Sequence, residues 1–285
     1  MPERLHIACL QTRPMADFAS ATDEAMALAE RAATAGAGFL FLPEYCGGLA
    51  SDGPALCPPS APEDSHPVLA AFRDFARARK LWIMLGSIAV DRPEDRPAGK
   101  IVNRGYVIDA KGAIRSRYDK IHMFDIQLSE AETYRESARV APGSRAVLVD
   151  TPIGRIGHSI CYDLRFPGLY RDLARAGAEI LAVPAAFTKK TGQAHWHVLN
   201  RARAIENGAF VIAPCATGAV PGGGACYGHS LVVDPWGRVL ADGGEGGGVV
   251  YANIDPAEVE HARARIPSLA HDRGYTRPET DRSPA

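Results

Sequence analysis

Short apolar runs of strand length, spread along the whole chain, are the feature that most restricts its fold. The clearest are LHIACL (5–10), FLFLP (39–43), LWIMLGSIAV (81–90), RIGHSI (155–160), AEILAVP (178–184) and AFVIAP (209–214). Several are followed by apolar residues that recur near period 3.6, as in segment 18–32, which indicates amphipathic helices. Strands that alternate with helices predict an α/β fold.

The sheet is not expected to be purely parallel, because two stretches alternate apolar and polar residues around a tight turn. Residues 101–120 do so around AKG, and residues 229–242 around DPWG, as half-exposed antiparallel hairpins do. No low-complexity linker divides the chain, so we expect about a dozen strands and their helices around one core. We assign residues 1–270 to a single domain and residues 271–285 to a polar, extended C-terminal tail.

One later helix is expected at 194–208, with its apolar side facing the core. That side consists of Trp196, Leu199, Ala202 and Ile205. Two glycine clusters, at 222–224 and 243–248, predict loops. Neither has the strand, glycine and helix spacing of a phosphate-binding motif.

Charge and hydropathy exclude several kinds of partner. The chain has 32 Lys and Arg against 33 Asp and Glu, so no excess of either sign attracts nucleic acid or a membrane surface. No run of 18 uncharged apolar residues occurs, and the N-terminal sequence is too polar for a signal peptide. The six cysteines are widely spaced, so we expect reduced thiols. These features predict a soluble, cytoplasmic protein that acts on a small molecule.

Cys161 occupies the most suggestive position in the chain. It follows the apolar run 155–160 and precedes a helix expected from Pro167, since proline favours the first helical turn. A thiol near the positive end of a helix has a lowered pKa, as a nucleophile requires. A cysteine after an apolar strand is as often a core residue, so the local pattern leaves both interpretations open.

Two charged residues also stand at the ends of strands. Glu44 follows FLFLP, and ligands gather at the carboxyl ends of strands in α/β sheets, although a carboxylate that caps the next turn is the plainer interpretation. Lys120 ends the hairpin 101–120, where a lysine is ordinarily a solvated charge at a sheet edge. Taken alone, neither residue indicates a site.

Other nucleophile and metal motifs are missing from the sequence. Ser159 and Ser230 lack the glycines of a G-x-S-x-G elbow. His195 and His197, in HWH, would lie about 200° apart around a helix and could not bind one ion together from it. We therefore expect neither a serine hydrolase nor a metal site.

Three segments, taken together, resemble the signature segments of the nitrilase superfamily of carbon–nitrogen hydrolases. FLPEY contains Glu44, YDKIHMFD contains Lys120 and GHSICYDLRFP contains Cys161, in the order and spacing of that family. The resemblance extends over nearly the whole chain and is closest to the Nit branch, which contains ω-amidases and deaminated glutathione amidases. It implies a four-layer αββα sandwich, no cofactor, and assembly into a homodimer or larger homo-oligomer.

The resemblance also implies a Glu–Lys–Cys triad of Glu44, Lys120 and Cys161, with Glu136, in TYRESARVAPG, as a supporting glutamate. An amide is a poor electrophile, so Cys161 would attack as a thiolate after Glu44 takes its proton. The Lys120 ammonium and the backbone N–H of Tyr162 would stabilise the oxyanion. Glu44 would then protonate the leaving nitrogen and activate water to hydrolyse the thioester.

Candidates for substrate contact lie close to these segments. They are Tyr162, Arg165, Phe187, Thr188 and His195. Arg165 could pair with a substrate carboxylate or with Asp163. Related sequences often read RFPE where this chain reads RFPG, with Gly168, which leaves the orientation of Arg165 open.

The function expected from the sequence is hydrolysis of small linear carboxamides, with release of ammonia or an amine. The candidate substrates are ω-amides of dicarboxylic or 2-oxo acids and deaminated glutathione. An N-carbamoyl amino acid amidohydrolase is an alternative. A nitrilase is disfavoured, because Tyr162 and Asp163 stand where nitrilases have tryptophan and glutamate. The non-enzyme alternative is a catalytically silent binding module on the same fold.

Overall fold

The computed structural model describes residues 5–53, 55–91, 99–128 and 133–276. Two β-sheets lie face to face, and helices cover the outer face of each. The described residues therefore form helix, sheet, sheet and helix layers, as in the four-layer αββα sandwich that the resemblance to the nitrilase superfamily implies.

The first sheet has seven strands in the described residues. They are β1 (Leu5–Gln11), β2 (Phe39–Phe41), β5 (Ser60–Pro62), β6 (Trp82–Asp91), β7 (Ile101–Ile108), β8 (Ile114–Asp119) and β19 (Gly248–Ile254). Their order is β19-β1-β2-β6-β7-β8, with β5 also paired to β6. β1, β2 and β6 are parallel, whereas β7 and β8 add the expected antiparallel hairpin.

The second sheet has six strands in the same described part of the chain. They are β11 (Leu148–Thr151), β12 (Gly154–His158), β13 (Ile180–Ala182), β14 (Phe210–Ala213), β17 (Leu231–Val233) and β18 (Val239–Asp242), in that order across the sheet. The DPWG hairpin joins β17 to β18, and the N–H of Gly237 donates to the carbonyl of Asp234 at 2.9 Å. Three short pairs lie outside both sheets: β3 (Ser51–Asp52) with β4 (Ala55–Leu56), β9 (Asp125–Gln127) with β10 (Thr133–Arg135), and β15 (Thr217–Ala219) with β16 (Ala225–Tyr227).

The helices cover the outer faces of the sheets. They are α1 (Phe18–Thr34), α2 (Pro67–Arg79), α3 (Pro167–Arg175), α4 (Lys189–Asn207), α5 (Ala257–Arg265) and α6 (Ser268–His271). α1 and α2 pack on the first sheet, and α3 and α4 on the second. Within the described ranges, no helix has the length and apolar character needed to cross a bilayer.

Strand periodicity explains how the two sheets share a core. Phe39 and Phe41 of β2 face the other sheet, while Leu40 between them packs against the helices. In the second sheet, Ile180 faces the shared core and its neighbour Leu181 contacts the helices. Successive side chains on a strand point to opposite faces, so strands covered on both sides are apolar throughout, as these runs are.

The expectation for α4 was wrong in its start and in part of its buried face, although Trp196 is fully buried and Leu199 packs against the core as expected. The helix begins at Lys189 rather than at 194, and Ile205 is 51% exposed. The buried side includes polar residues instead. Arg203, only 5% exposed, donates to the carbonyl of Leu164 at 2.7 and 3.1 Å, and Asn200 bonds the helix backbone. Apolar periodicity missed this face because buried polar side chains with partners pack as well as apolar ones.

The assignment of residues 271–285 to an extended tail stays a prediction. The chain forms α6 after Pro267, and Asp272, in the expected tail, pairs with Arg175 at 2.5 Å. Residues 277–285 of that tail lie outside the described residues.

His158, a buried histidine, connects the two sheets, and we expect it to make the protein less stable in mild acid. His158 of β12 is fully buried, and its Nε2 lies 2.8 Å from the hydroxyl of Ser116 in β8. Burial lowers the pKa of His158 to about 4, whereas an unfolded histidine has a pKa of about 6.5. The unfolded chain therefore binds the extra proton first, and the stability conferred by the neutral ring is lost as pH falls from 6.5 towards 4.

We expect this residue alone to lower the free energy of unfolding by about 2 kcal/mol between pH 7 and pH 5. In His158→Gln, this part of the fall in the free energy of unfolding between pH 7 and pH 5 should disappear. Denaturant titrations at the two pH values would measure the difference. An equal fall in the free energy of unfolding in the variant and the parent would contradict this account of His158.

Candidate active site

Four side chains named from the sequence converge where strands of both sheets end. Glu44 follows β2, Lys120 follows β8 and Cys161 follows β12, while Glu136 begins a single 3₁₀ turn, Glu136–Ala138. All four are buried. The carboxyl ends of β2 and β12 meet across the sandwich, so residues distant in sequence share one site.

Lys120 lies at the centre of this group and is not a solvated edge charge. Its side chain is 2% exposed, and its Nζ donates to Glu44 Oε1 at 2.9 Å and to the two oxygens of Glu136 at 3.0 and 2.8 Å. Burial by itself lowers the pKa of Lys120, but Glu136 and Glu44 outweigh it and raise that pKa well above its usual value. Lys120 therefore stays an ammonium ion at neutral pH.

Glu44 is held by donors on both carboxylate oxygens. Oε1 accepts from Lys120 and from Asn103 Nδ2, both at 2.9 Å, and Oε2 accepts from the backbone N–H of Ala186 at 2.9 Å. Glu44 also lies close enough to the Cys161 thiol for its charge to raise the pKa of that thiol. A carboxylate fixed in this way beside a thiol is well placed to accept its proton.

Cys161 sits on a sharp turn in an uncommon backbone conformation. Its φ is 48°, in the left-handed region that favours glycine and is strained for other residues. The turn is held by the Cys161 N–H, which donates to the carbonyl of Pro184 at 2.9 Å. Asp163 holds it from the other side by accepting from the Ile160 N–H at 2.8 Å and from the Tyr118 hydroxyl at 2.7 Å. This strand, turn and helix arrangement presents the thiol to the carboxylate.

The expectation of a lowered thiol pKa was wrong. Burial raises the pKa of Cys161 well above its usual value, and the charge of Glu44 raises it further, while Lys120 opposes both. A short 3₁₀ helix, Cys161–Arg165, separates the thiol from α3, which starts at Pro167 as expected. Cys161 rests as a protonated thiol and needs a base to become a nucleophile.

Glu136 fixes the lysine. Besides Lys120, its carboxylate accepts from the Phe124 backbone N–H at 2.7 Å and from the Tyr45 hydroxyl at 3.3 Å. Two carboxylates around one ammonium hold Lys120 in place, and the supporting role that the resemblance implies for Glu136 stays a prediction.

Two polar residues of the site were not identified from the sequence. Asp163 shapes the turn, and fully buried Asn103 donates from Nδ2 to Glu44 Oε1 at 2.9 Å and to Glu136 Oε1 at 3.5 Å. The sequence did contain a signal for Asn103, because it is an asparagine inside the apolar strand IVNRGYVI. A buried amide requires a hydrogen-bond partner.

We expect Asn103→Leu to lower kcat by about tenfold to a hundredfold, because Glu44 loses a charge-assisted hydrogen bond that orients it. KM should change little, since Asn103 acts through Glu44. Steady-state kinetics with a correctly folded variant measures both. A rise in KM at constant kcat would contradict a positioning role.

A cavity of about 660 Å³ opens onto Cys161 and Lys120. Its described lining is mostly apolar and includes Leu49, Phe124, Tyr134, Tyr162, Phe187, Thr188 and Cys226. The loop Gly222–Gly224 also lines it, although the sequence marked this cluster only as a loop. A Cβ at Gly222 would lie 1.9 Å from the carbonyl oxygen of Ser51, so glycine is required for the loop to approach Ser51, which also lines the cavity.

The candidate substrate contacts divide into two groups. Tyr162, Phe187 and Thr188 line the cavity, but the described lining does not include Arg165 or His195. Arg165 Nη2 lies 3.2 Å from His195 Nδ1, and its guanidinium lies 5.8 and 5.6 Å from the ring centres of Tyr162 and Phe187. Contact of Arg165 and His195 with substrate stays a prediction.

The glycine that departs from the related sequences leaves open space beside α3. A Cβ at Gly168 would meet nothing within 4 Å, so the first carbon of a larger side chain has room there. In this chain Arg165 has His195 as its side-chain partner.

Comparison with known proteins identifies the family of the chain. The model of the carbon–nitrogen hydrolase family matches residues 6–264. A deaminated glutathione amidase of Synechocystis sp. is 38% identical over 268 residues, which is 93% of this chain and 96% of that protein. The human protein with that name is 40% identical over 247 residues, covering 86% of this chain and 75% of its own length.

Solved structures show the same fold. The crystal structure of the C. elegans NitFhit protein has a TM-score of 0.86 at 35% identity and covers 95% of this chain and 66% of that one. Nit3 of Saccharomyces cerevisiae, a member of branch 10 of the nitrilase superfamily, has a TM-score of 0.81 at 28% identity and covers 93% and 95%. The chain belongs to the carbon–nitrogen hydrolase family of the nitrilase superfamily.

Proposed function

We propose that this amidase cleaves the amide bond of deaminated glutathione, or of a small ω-amide of a 2-oxo or dicarboxylic acid, through a thioester on Cys161. The observation that carries the proposal is the buried contact of Glu44, Lys120 and Cys161 at the floor of a cavity. A silent binding module has no need of a buried ammonium, whose desolvation is costly unless it is fully paired.

The first step uses the resting thiol. Glu44 takes the Cys161 proton as the sulfur attacks the amide carbon, and the carbonyl electron pair moves onto oxygen. We expect the Lys120 ammonium, held by Glu44 and Glu136, to act on this oxygen as a preorganised cation. The N–H of Tyr162, in the first turn of a 3₁₀ helix, lacks an intrahelical acceptor. Both groups can donate hydrogen bonds to an oxyanion. Each such donor lowers the activation free energy by about 3 kcal/mol.

The second step releases the amine. The oxyanion collapses, the C–N bond breaks, and Glu44 gives its proton to the leaving nitrogen. Glu44 then removes a proton from water, which attacks the thioester carbon. The acid product leaves, and the proton held by Glu44 returns to the Cys161 sulfur.

The cavity supports a substrate with a bulky leaving amine. Its volume of about 660 Å³ lies in the range of sites that hold drug-sized ligands, whereas an amide that releases ammonia would fill only part of it. Two relatives described above carry the name deaminated glutathione amidase. We therefore place deaminated glutathione first among the candidates.

A panel of substrates tests the proposal. Deaminated glutathione, 2-oxoglutaramate, 2-oxosuccinamate, N-carbamoyl amino acids and simple nitriles would each be incubated with the full chain, and the acid product and any ammonia would be quantified. The highest kcat/KM should be for deaminated glutathione. A preference for carbamoyl amino acids or nitriles would contradict the proposal.

We also propose a homo-oligomer and a cytoplasmic location. Val198 and Ile205 of α4 are 60% and 51% exposed, and a second copy covering them would explain apolar side chains on an outer helix. All six cysteines are free, which suits a reducing compartment. Analytical ultracentrifugation should give at least a dimer, and a monomer at working concentrations would contradict the oligomer.

A further inference from the structure

Three side chains that the proposed reaction does not use lie together beside α4. His197 projects from α4, His229 precedes β17, and Asp242 ends β18. From the sequence we expected no metal site, because His195 and His197 could not share one ion from a single helix. The fold gives His197 different neighbours, from two other segments of the chain.

The donor atoms are already close together. His197 Nε2 lies 3.0 Å from Asp242 Oδ2, and His229 Nδ1 lies 2.8 Å from Asp242 Oδ1. One ligand atom from each residue lies within 4.8 Å of the other two. In a tetrahedral zinc site the donor atoms lie about 3.3 Å apart, so small rotations of the side chains would bring all three to bonding distance.

The protein backbone fixes the position of His229 before any ion binds. The residue has a φ of 53°, its N–H donates to the carbonyl of Gly244 at 2.7 Å, and its carbonyl accepts from Trp196 Nε1 at 2.7 Å. Its ring stacks on Tyr227 at 4.4 Å. Asp242 is held as well, since Oδ1 accepts from the Gly244 N–H at 2.9 Å.

The three side chains are accessible without being fully solvated. Their exposures are 36% for His197, 21% for His229 and 34% for Asp242. An ion can therefore reach the group from solvent, and water can complete its coordination. Two imidazole nitrogens and one carboxylate suit zinc and its neighbours in the transition series, whereas magnesium and calcium prefer oxygen donors alone.

We propose that His197, His229 and Asp242 form a binding site for a divalent transition metal ion, with Zn²⁺ as the best match and water as the fourth ligand. Such an ion would join α4 to the β17–β18 hairpin. Trp196, beside His197, packs against Phe187 of the cavity wall with ring centres 4.9 Å apart. Metal binding would thus stiffen the helix that supports this wall.

Zinc titration of the full chain tests the site. A Cys161→Ala background excludes binding by the active-site thiol, and competition with a chromogenic chelator gives stoichiometry and affinity. We expect one ion per chain, with affinity at least tenfold weaker in His197→Gln and in Asp242→Asn. His261→Gln, which removes an exposed histidine of α5, is the matched control and should bind as the parent does.

Thermal unfolding and Co²⁺ spectra provide readouts that do not depend on activity. Saturating Zn²⁺ should raise the Tm of the parent by about 5 °C and leave the Tm of both ligand variants unchanged. Co²⁺ should give the intense visible bands of a tetrahedral site only when all three ligands are present. Failure of the parent to bind saturably, or equal binding by both variants, would overturn the proposal.

Discussion

Replacing Cys161 with alanine or serine is expected to abolish amide hydrolysis while the protein stays folded. The thiol is the atom that forms the covalent intermediate, and loss of a catalytic nucleophile lowers kcat by about 10⁴-fold or more. Alanine removes one sulfur atom beside a cavity that already exists, so the fold should tolerate it. Product formation and circular dichroism on the same preparations measure the two effects.

Cys57→Ala is the matched control, because Cys57 is half-buried while the other five cysteines are buried. It should retain the activity of the parent. Appreciable hydrolysis by folded Cys161→Ala would refute the assignment of the nucleophile.

Replacing Glu44 with glutamine is expected to lower kcat by about 10²- to 10⁴-fold, the usual contribution of a general base. The amide keeps the size of the carboxylate but cannot accept the thiol proton. Because the pKa of Cys161 is raised by burial, very little thiolate forms spontaneously at neutral pH. Residual activity of the variant should therefore rise about tenfold per pH unit as the thiol ionises.

The pH–rate profiles of the variant and the parent measure this difference. A control is Glu245→Gln, which removes an exposed carboxylate paired with Lys189 and should not change the profile. If Glu44→Gln kept kcat within a few-fold of the parent at neutral pH, another group would have to be the base.

The α/β arrangement of strands and helices could be predicted from the sequence because strand burial leaves a strong signal, whereas the four layers were implied only by the resemblance to the nitrilase superfamily. Runs such as 39–43 and 178–184 are apolar throughout, and the structure shows both their faces covered. The exact face of α4 could not be predicted in this way. Its buried side includes Arg203, which donates to a backbone carbonyl. A pattern of regularly spaced apolar residues does not indicate such a buried polar side chain.

The candidate site could be predicted from the sequence only in part. Local pattern left Cys161 undecided and favoured a solvated Lys120, and the resemblance to a family was needed to group them with Glu44. Their convergence depends on which strand ends meet across two sheets, and this is a property of topology rather than of any single segment. The thiol pKa was misjudged for the same reason, since burial by distant segments outweighs a nearby helix end.

Asn103 and the glycine loop 222–224 show what local reasoning omits. Asn103 acts through two carboxylates that lie 59 and 33 residues away in the sequence. The loop reaches the cavity because Gly222 packs against the backbone of Ser51. Both depend on contacts between distant parts of the chain.

Trapping the covalent intermediate tests the central claim most directly. The full chain would be mixed with deaminated glutathione, quenched in acid within one turnover, digested and analysed by mass spectrometry. The account predicts that the peptide containing Cys161 carries the acyl group of the substrate, and that the adduct disappears in Cys161→Ala. Turnover with the acyl group on another residue, or adduct formation that persists without Cys161, would contradict it.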